Sequence, residues 1–395
     1  MDNTASGITP MSPPPLAIPN SSKVATLQAV DTTLQLYVRA ENFLNPVLPG
    51  HEMWNCTAMA FLITNQDTGR KILFDAGARK DYWNYSPVTA ERFAKGVNVK
   101  GLKIDMGVDE VLSRSGMDLG GLEAVVWSHW HFDHIGDMSQ FPSSVRLVVG
   151  PGFQENLLPG YPSNPKSPLL ETDYGGREME EISFSNEKRQ IGQFRAHDFF
   201  GDGSFYLLDT PGHAIGHMCG LVRTTPSTFV LLGADACHFA GSLRPSPYIP
   251  LPDEVSGLAV SSSPCPCELF MGCHPAPSLQ EKRTQPYYTA STAEKSVYVN
   301  PEISNHSVRG LMEFDAHPDV FICLAHDPSL FDVLPIFNQN PTAHINNWKE
   351  QGYKETTKWR FLNELPRNGK AGRPPLVEGF WRDGKRVDVS MAMKR

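Results

Sequence analysis

The stretch Ala124-Val125-Val126-Trp127-Ser128-His129-Trp130-His131-Phe132-Asp133-His134-Ile135-Gly136-Asp137 decides the reading of this chain. Its first four residues are an apolar, β-branched run that predicts a buried strand. Three histidines and an aspartate then fall within six consecutive positions, 129–134. With the chain still extended past the strand, His129 and His131 project to the same side, because side chains alternate with a period of two, and both imidazoles can reach one cation. Asp133 and His134 follow where the chain turns and can face a second cation a few Å away. A lone histidine on an apolar face is usually a hydrogen-bonded core residue. Packing three basic rings and a carboxylate together costs desolvation and repulsion unless a metal draws them in, so the cluster reads as a metal centre.

Working outward, apolar β-forming runs predict strands at 32–39, 56–64, 71–74, 145–149, 204–208, 219–223, 228–232 and 319–324. Short helices are expected at 87–96, 107–116, 151–158 and 328–337, and a C-terminal helix over 341–362 that carries Trp348 and Trp359. Residues 1–23, rich in Pro, Ser and Asn, read as a flexible or loosely docked arm, ahead of one domain over 24–395. Ten prolines fall between Gly241 and Gly310, with serine clusters and no sustained period. Residues 242–310 are therefore expected to be a long insertion loop of the kind that acts as a lid and sets substrate choice.

Composition bounds the function. With 395 residues, 40% hydrophobic and 20% charged, the chain can bury a sizeable core, which excludes wholesale disorder. The balance of 35 Lys+Arg against 43 Asp+Glu, net -8, disfavours attraction to nucleic acid or anionic lipid. No apolar run approaches the ~18–20 residues that span a bilayer, and the opening residues lack a basic start and an apolar core, so a cytoplasmic protein is expected. Seven cysteines, an odd number, point to reduced thiols rather than a disulfide framework.

The pattern His129-x-His131-x-Asp133-His134 resembles the signature of the metallo-β-lactamase superfamily. The remaining family ligands occur in the same order, as His213 in Asp209-Thr210-Pro211-Gly212-His213, Asp235 in Gly233-Ala234-Asp235, and His326 in Leu324-Ala325-His326-Asp327. The resemblance implies an α/β fold, the four-layer αβ/βα sandwich, with its metals in a cleft at one sheet edge. It also implies two divalent metal ions. His129, His131 and His213 would hold one, Asp133, His134 and His326 the other, and Asp235 would bridge them. Five imidazoles and two carboxylates favour zinc, with manganese or iron as possible occupants. A metal-bridging hydroxide is the expected nucleophile, because a bound cation lowers the pKa of water from 15.7 toward ~7.

Among subfamilies the chain looks most like N-acyl homoserine lactonases and fungal β-lactamase-type thioesterases. The implied activity is hydrolysis of an ester-like acyl bond, a lactone or a thioester, in a small hydrophobic or secondary-metabolite substrate that a carrier protein can present. Asp133, Asp235 and His238 are the expected catalytic residues. The lactonases carry a tyrosine three residues after the bridging aspartate, and His238 stands there in this chain. It either donates to an oxyanion or leaving group or packs a loop. Asp75, ending a predicted strand, resembles a family position whose carboxylate orients a metal-bound imidazole, the alternative being a turn cap. Asp137 reads as a helix-start cap and His217 as structural.

Cys265, Cys267, Cys273 and His274 have poor spacing for a structural zinc and are expected in a loop. Tyr82, Trp83, Tyr85, Phe199, Phe200, Tyr248, Tyr287 and Tyr288 lie in predicted loops and either wall the substrate cleft or pack locally. The alternative function is an iron-dependent oxidoreductase of the same fold, similar to persulfide dioxygenases, which would bind iron and consume oxygen.

Overall fold

A computed structural model describes residues 7–260 and 263–394. Residues 1–6 of the expected arm and 261–262 of the expected insertion lie outside that range. In chain order the strands of two large sheets are β1 (Ala25–Arg39), β2 (Met53–Asn65), β3 (Lys71–Phe74), β4 (Val99–Ile104), β5 (Ala124–Val126), β6 (Arg146–Val149), β7 (Met179–Glu181), β8 (Gln190–Ile191), β9 (Phe194–Asp198), β10 (Phe205–Asp209), β11 (Met218–Thr225), β12 (Thr228–Ala234), β13 (Val320–Leu324), β14 (Gly379–Arg382) and β15 (Lys385–Val387).

The first sheet runs β15-β14-β4-β1-β2-β3-β5-β6-β7 and the second β13-β12-β11-β10-β9-β8. The long pair β1 and β2 is antiparallel, whereas β3, β5, β6 and β7 run parallel, as do β12 and β13.

Alternation explains how each strand serves two layers. In β3, Ile72 and Phe74 face the second sheet, where they join Phe205, Val222, Leu232 and Phe321. Leu73 faces the other way, into a separate cluster with Val108, Val111 and Leu112 of the helix Val108–Arg114. The helix Pro301–Ala316 covers the far side of the second sheet, with Leu311 and Phe314 packed in the same cluster as Leu221 and Leu231. Two sheets thus lie face to face between outer helices, the four-layer αβ/βα arrangement. Strands buried on both faces read as continuous apolar runs, which is why β5 and β12 stand out in the sequence.

Several expectations are corrected. Residues 341–362 do not form one helix. They run through turns to the short helices Tyr353–Thr357 and Arg360–Asn363, because Gly352 adopts a left-handed φ of +68° that no helix continues through. Trp348 is buried in the turns, 5.6 Å from the Phe321 ring.

The stretch 242–310 is also not an unbroken loop. It holds the helices Glu268–Met271 and Leu279–Thr284 and the first ten residues of Pro301–Ala316, which Asn300 caps by accepting from the Ile303 N–H, with Pro301 at the first turn. It further pairs Thr289–Ala290 with Leu44–Asn45. Strands β4, β7, β8, β9, β14 and β15 lack long apolar runs and were not expected.

From Gly7 onward the arm has no regular strand or helix before β1 and touches the domain through backbone bonds. The Met11 N–H donates to Pro247 O and the Gly192 N–H to Leu16 O, and Leu16 is buried. Among the described residues no helix is long and apolar enough to cross a membrane.

Candidate metal centre

All the candidate ligands leave the C-terminal ends of strands at one edge of the sandwich. The His129 to His134 turn follows β5, His213 follows β10, Asp235 follows β12 and His326 follows β13. The last three come from the second sheet and meet the first-sheet turn across the edge. Two non-glycine residues at the strand ends beside the site hold left-handed backbone, Asp75 at φ +60° and Ala234 at φ +41°, which is local strain next to the candidate side chains.

Three imidazole nitrogens form a triangle. His129 Nε2, His131 Nδ1 and His213 Nε2 are 3.0, 2.9 and 3.1 Å apart. A neutral imidazole nitrogen either donates or accepts, so among three mutually adjacent nitrogens at least two share a role and repel. A cation bound by three lone pairs removes the conflict. Burial holds His129 and His213 well below their ordinary pKa and His131 down to about 3, so all three are neutral and offer lone pairs.

The second group is His134, His326 and Asp235. Asp235 Oδ1 lies 3.1 Å from His134 Nε2 and 2.9 Å from His326 Nε2, while Oδ2 lies 3.5 Å from His129 Nε2 and 3.3 Å from His213 Nε2. The carboxylate therefore turns one oxygen to each group. Asp133 is buried beside the second, with Oδ2 3.7 Å from His326 Nε2 and Oδ1 4.0 Å from His134 Nε2.

Burial opposes a positive charge on His134 and His326. Even so, Asp235 with Asp75 and Asp133 around His134, and Asp235 with Cys56 around His326, raise both well above the ordinary value. The field that favours a proton there favours a metal cation equally.

Tautomers are set from behind. His134 Nδ1–H donates to Asp75 Oδ2 at 2.8 Å, and His326 Nδ1–H donates to the Thr57 carbonyl. Both Nε2 lone pairs consequently face Asp235 Oδ1. Acceptor opposite acceptor at about 3 Å is unfavourable unless a cation or proton lies between them. His134 Nε2 and Asp235 Oδ1 are accordingly buried without a hydrogen-bond partner.

The donor set fits divalent metal. Ligand atoms on a tetrahedron with bonds of about 2.0 Å sit about 3.3 Å apart, and the measured separations within each group fall close to this. Asp133 is the exception, its oxygens lying farther out than the rest.

The structure brings together all seven ligand candidates, His129, His131, Asp133, His134, His213, Asp235 and His326. His238 joins them, with Nε2 3.1 Å from Asp235 Oδ2 and its ring stacked on His326 at 5.6 Å. His217 lies behind, donating from Nδ1 to Thr210 O and accepting the Asp235 backbone N–H at Nε2, a structural role. Asp137 caps the turn Met138–Gln140 and pairs with Arg79. His274 uses both ring nitrogens on backbone groups, and among the described residues the cysteines around it form no metal-ligating group.

Sequence reading missed Tyr298, Cys56, Trp54 and Phe43. Tyr298 Oη is 2.7 Å from His238 Nδ1, and Cys56 Sγ is 3.3 Å from His326 Nδ1. Phe43 and Trp54 lie 4.9 and 6.1 Å from the His238 ring in steeply tilted arrangements. None carries a local motif. Of the aromatics read as either cleft walls or local packing, Phe199 and Phe200 pack on Phe205, and Tyr287 and Tyr288 pack near Phe239 and Phe361. Surface cavities of about 490 Å³ around Trp381 and about 290 Å³ around Trp83 include none of the ligand candidates, so neither is the reaction cleft.

Comparison with known proteins agrees with this geometry. The family model described as metallo-beta-lactamase superfamily matches residues 54–259. The chain is 39% identical over 365 residues to the gamma-lactamase FDB1 of Fusarium pseudograminearum, covering 89% of this chain and 85% of that protein. It is 38% identical over 362 residues to the metallo-hydrolase mfmC of Annulohypoxylon moriforme, covering 90% and 92%. Among solved structures, a quorum-quenching N-acyl homoserine lactone hydrolase superposes with a TM-score of 0.51 at 17% identity, over 80% of this chain and 98% of that one, a likeness of fold.

Proposed function

The chain belongs to the metallo-beta-lactamase superfamily and is a metal-dependent hydrolase, and we propose that it opens a cyclic acyl bond, a lactam or a lactone, in a small hydrophobic substrate of secondary metabolism. One observation carries this reading: Asp235 presents one carboxylate oxygen to each of two imidazole groups, which is the arrangement that would hold two zinc ions side by side. Two such cations, when bound, supply an acidified water at neutral pH and an electrophile for the substrate carbonyl.

The protein's own groups do the rest. Asp235 supplies the shared negative charge. Asp133, at the side of the second group, is placed to orient a water or hold a proton. His238 supplies the donor that an amide nitrogen or alkoxide needs in order to leave. A lactam nitrogen leaves poorly without a proton, so a buried imidazole beside the shared carboxylate suits that substrate, and the name gamma-lactamase carried by a 39% identical relative supports it.

Metal analysis with a substrate panel tests the reading. About two zinc equivalents per chain and turnover of a γ-lactam or γ-lactone are expected. Preference for an acyl thioester, free or on a carrier protein, would move the substrate class. An iron protein that consumes oxygen and hydrolyses nothing on the panel would overturn the proposal.

A further inference from the structure

His238 is held at both ends. Its Nε2 lies 3.1 Å from Asp235 Oδ2, its Nδ1 lies 2.7 Å from Tyr298 Oη, and all three residues are buried. The ring plane is fixed as well, parallel to His326 within 4° and met edge-on by Phe43 at 4.9 Å and Tyr298 at 5.1 Å. What packing leaves open is which nitrogen carries the hydrogen.

The carboxylate decides it. A carboxylate only accepts, so the nitrogen facing Asp235 is the N–H of the neutral ring. The other nitrogen is then a bare acceptor, and the group opposite it must donate, which a phenol O–H does. The hydrogen bond made by one imidazole nitrogen sets the state of the other.

We propose that Tyr298 is a positioning residue that donates to Nδ1 and holds His238 in place as the Nε2–H tautomer selected by the Asp235 carboxylate, so that a fixed donor lies beside the acyl group reacting at that carboxylate. The inference rests on the hydrolase reading above, because the donor needs an acyl oxygen or a departing nitrogen to serve. Among the described residues, the other imidazoles whose ring nitrogens approach the Asp235 carboxylate are all ligand candidates, which leaves His238 as the one whose N–H is not given up to a metal.

The backbone around Tyr298 is stitched to the same site. The Val299 N–H donates to His213 O at 2.9 Å, and the Val297 N–H donates to Asn42 O at 3.0 Å. The stretch 242–310 thereby sends one phenol into the metal centre, sixty positions from the imidazole it serves.

The test is a two-bond ¹H–¹⁵N correlation spectrum of zinc-loaded, histidine-labelled full-length protein, with the His238 signals assigned by their loss in His238→Gln. Nδ1 is expected to be unprotonated and Nε2 protonated. In Tyr298→Phe the Nδ1 signal moves downfield as it loses its donor while Nε2 stays protonated, and kcat falls about 10-fold or more with KM within about threefold, the split expected when a donor used in the transition state is no longer held in place. A protonated Nδ1 in the unmodified protein overturns the proposal, as do unchanged spectra and kcat in Tyr298→Phe. The spectrum of the unmodified protein decides even where the variant does not fold. The expected tautomer in a protein that turns over no acyl substrate would leave the Tyr298 and His238 pair standing and remove the hydrolase reading instead.

Discussion

Asp75 Oδ2 accepts from His134 Nδ1–H at 2.8 Å and from Ser128 Oγ–H at 2.9 Å, and that hydroxyl lies 3.1 Å from His129 Nδ1. One carboxylate therefore orients an imidazole in each of the two groups, His134 directly and His129 through Ser128. Each ring is left with Nε2 facing the centre. Partners behind the ligands typically change metal affinity 10–100-fold.

Asp75→Asn is the sharpest test of this relationship, since asparagine tolerates the left-handed backbone at this position. The substituted amide would keep an acceptor for the Ser128 N–H but would set its own N–H against His134 Nδ1–H. We expect zinc affinity to fall about 10–100-fold by chelator competition, with the fold intact by circular dichroism. Unchanged affinity would show that Asp75 only shapes the turn.

Gly212 couples the His213 loop to the helix Pro301–Ala316. At φ +122° it leaves no room for a side chain, and a Cβ there would sit 2.2 Å from the Ser304 backbone nitrogen. Neither backbone can yield without moving His213 or the first turn of the helix. Gly212→Ala should cost about 2–4 kcal/mol in urea unfolding and weaken zinc binding at the His129, His131 and His213 group. A variant with unchanged midpoint and zinc content would mean that the loop and helix are not rigidly joined.

The His129 to His134 candidates were legible from their spacing at the end of an apolar strand, whereas His213, Asp235 and His326 were legible only through the resemblance to the family's ordered motifs. The first cluster combines a β run with a turn, and both signals are local. Tyr298 was not legible, because its place depends on the pairing of Thr289–Ala290 with Leu44–Asn45 and on backbone bonds to Asn42 and His213. These are contacts across long stretches of chain with no sequence period. The helix Pro301–Ala316 did leave a signal, Asn300 followed by Pro301, but the prolines before it made the whole stretch look irregular. Gly352, with its left-handed φ, starts the short helix Tyr353–Thr357, so the single helix expected over 341–362 does not form.

Asp173 gives a pH signature unrelated to the metal centre. It is 1% exposed, its Oδ1 has no hydrogen-bond partner, and burial pushes its carboxyl up to about 7 despite Arg79 nearby. An unfolded aspartate titrates near 3.9, so between roughly pH 4 and pH 7 the folded state holds a proton that the unfolded state has lost. The unfolded chain binds fewer protons in that window, and stability falls as pH rises. The contribution is fully present below about pH 4 and is lost as pH passes about 7. Asp173→Asn removes this titration, so relative to the unmodified protein it should gain about 1–3 kcal/mol between pH 5.5 and pH 8. Urea unfolding at the two pH values measures it, and a pH-independent difference would refute the assignment.

Asp235 makes the strongest demand on the site. Its carboxylate is held well below the ordinary range, because His134, His326, His238 and His129 together outweigh the cost of burying it. Asp235→Asn keeps the volume and removes both the charge and one acceptor, placing an amide N–H against imidazole nitrogens of one group. Two divalent cations held about the distance of a shared carboxylate apart repel strongly, and without that carboxylate the second should not remain bound. Zinc content should drop from about two equivalents to one or fewer, and kcat by at least about 10³ on whichever acyl substrate the unmodified protein prefers. His131→Ala should also abolish turnover, but by weakening one group only. If Asp235→Asn kept two zinc ions and near-normal turnover, the two imidazole groups would not be joined by that residue, and a mononuclear mechanism on one of them would have to replace the shared site.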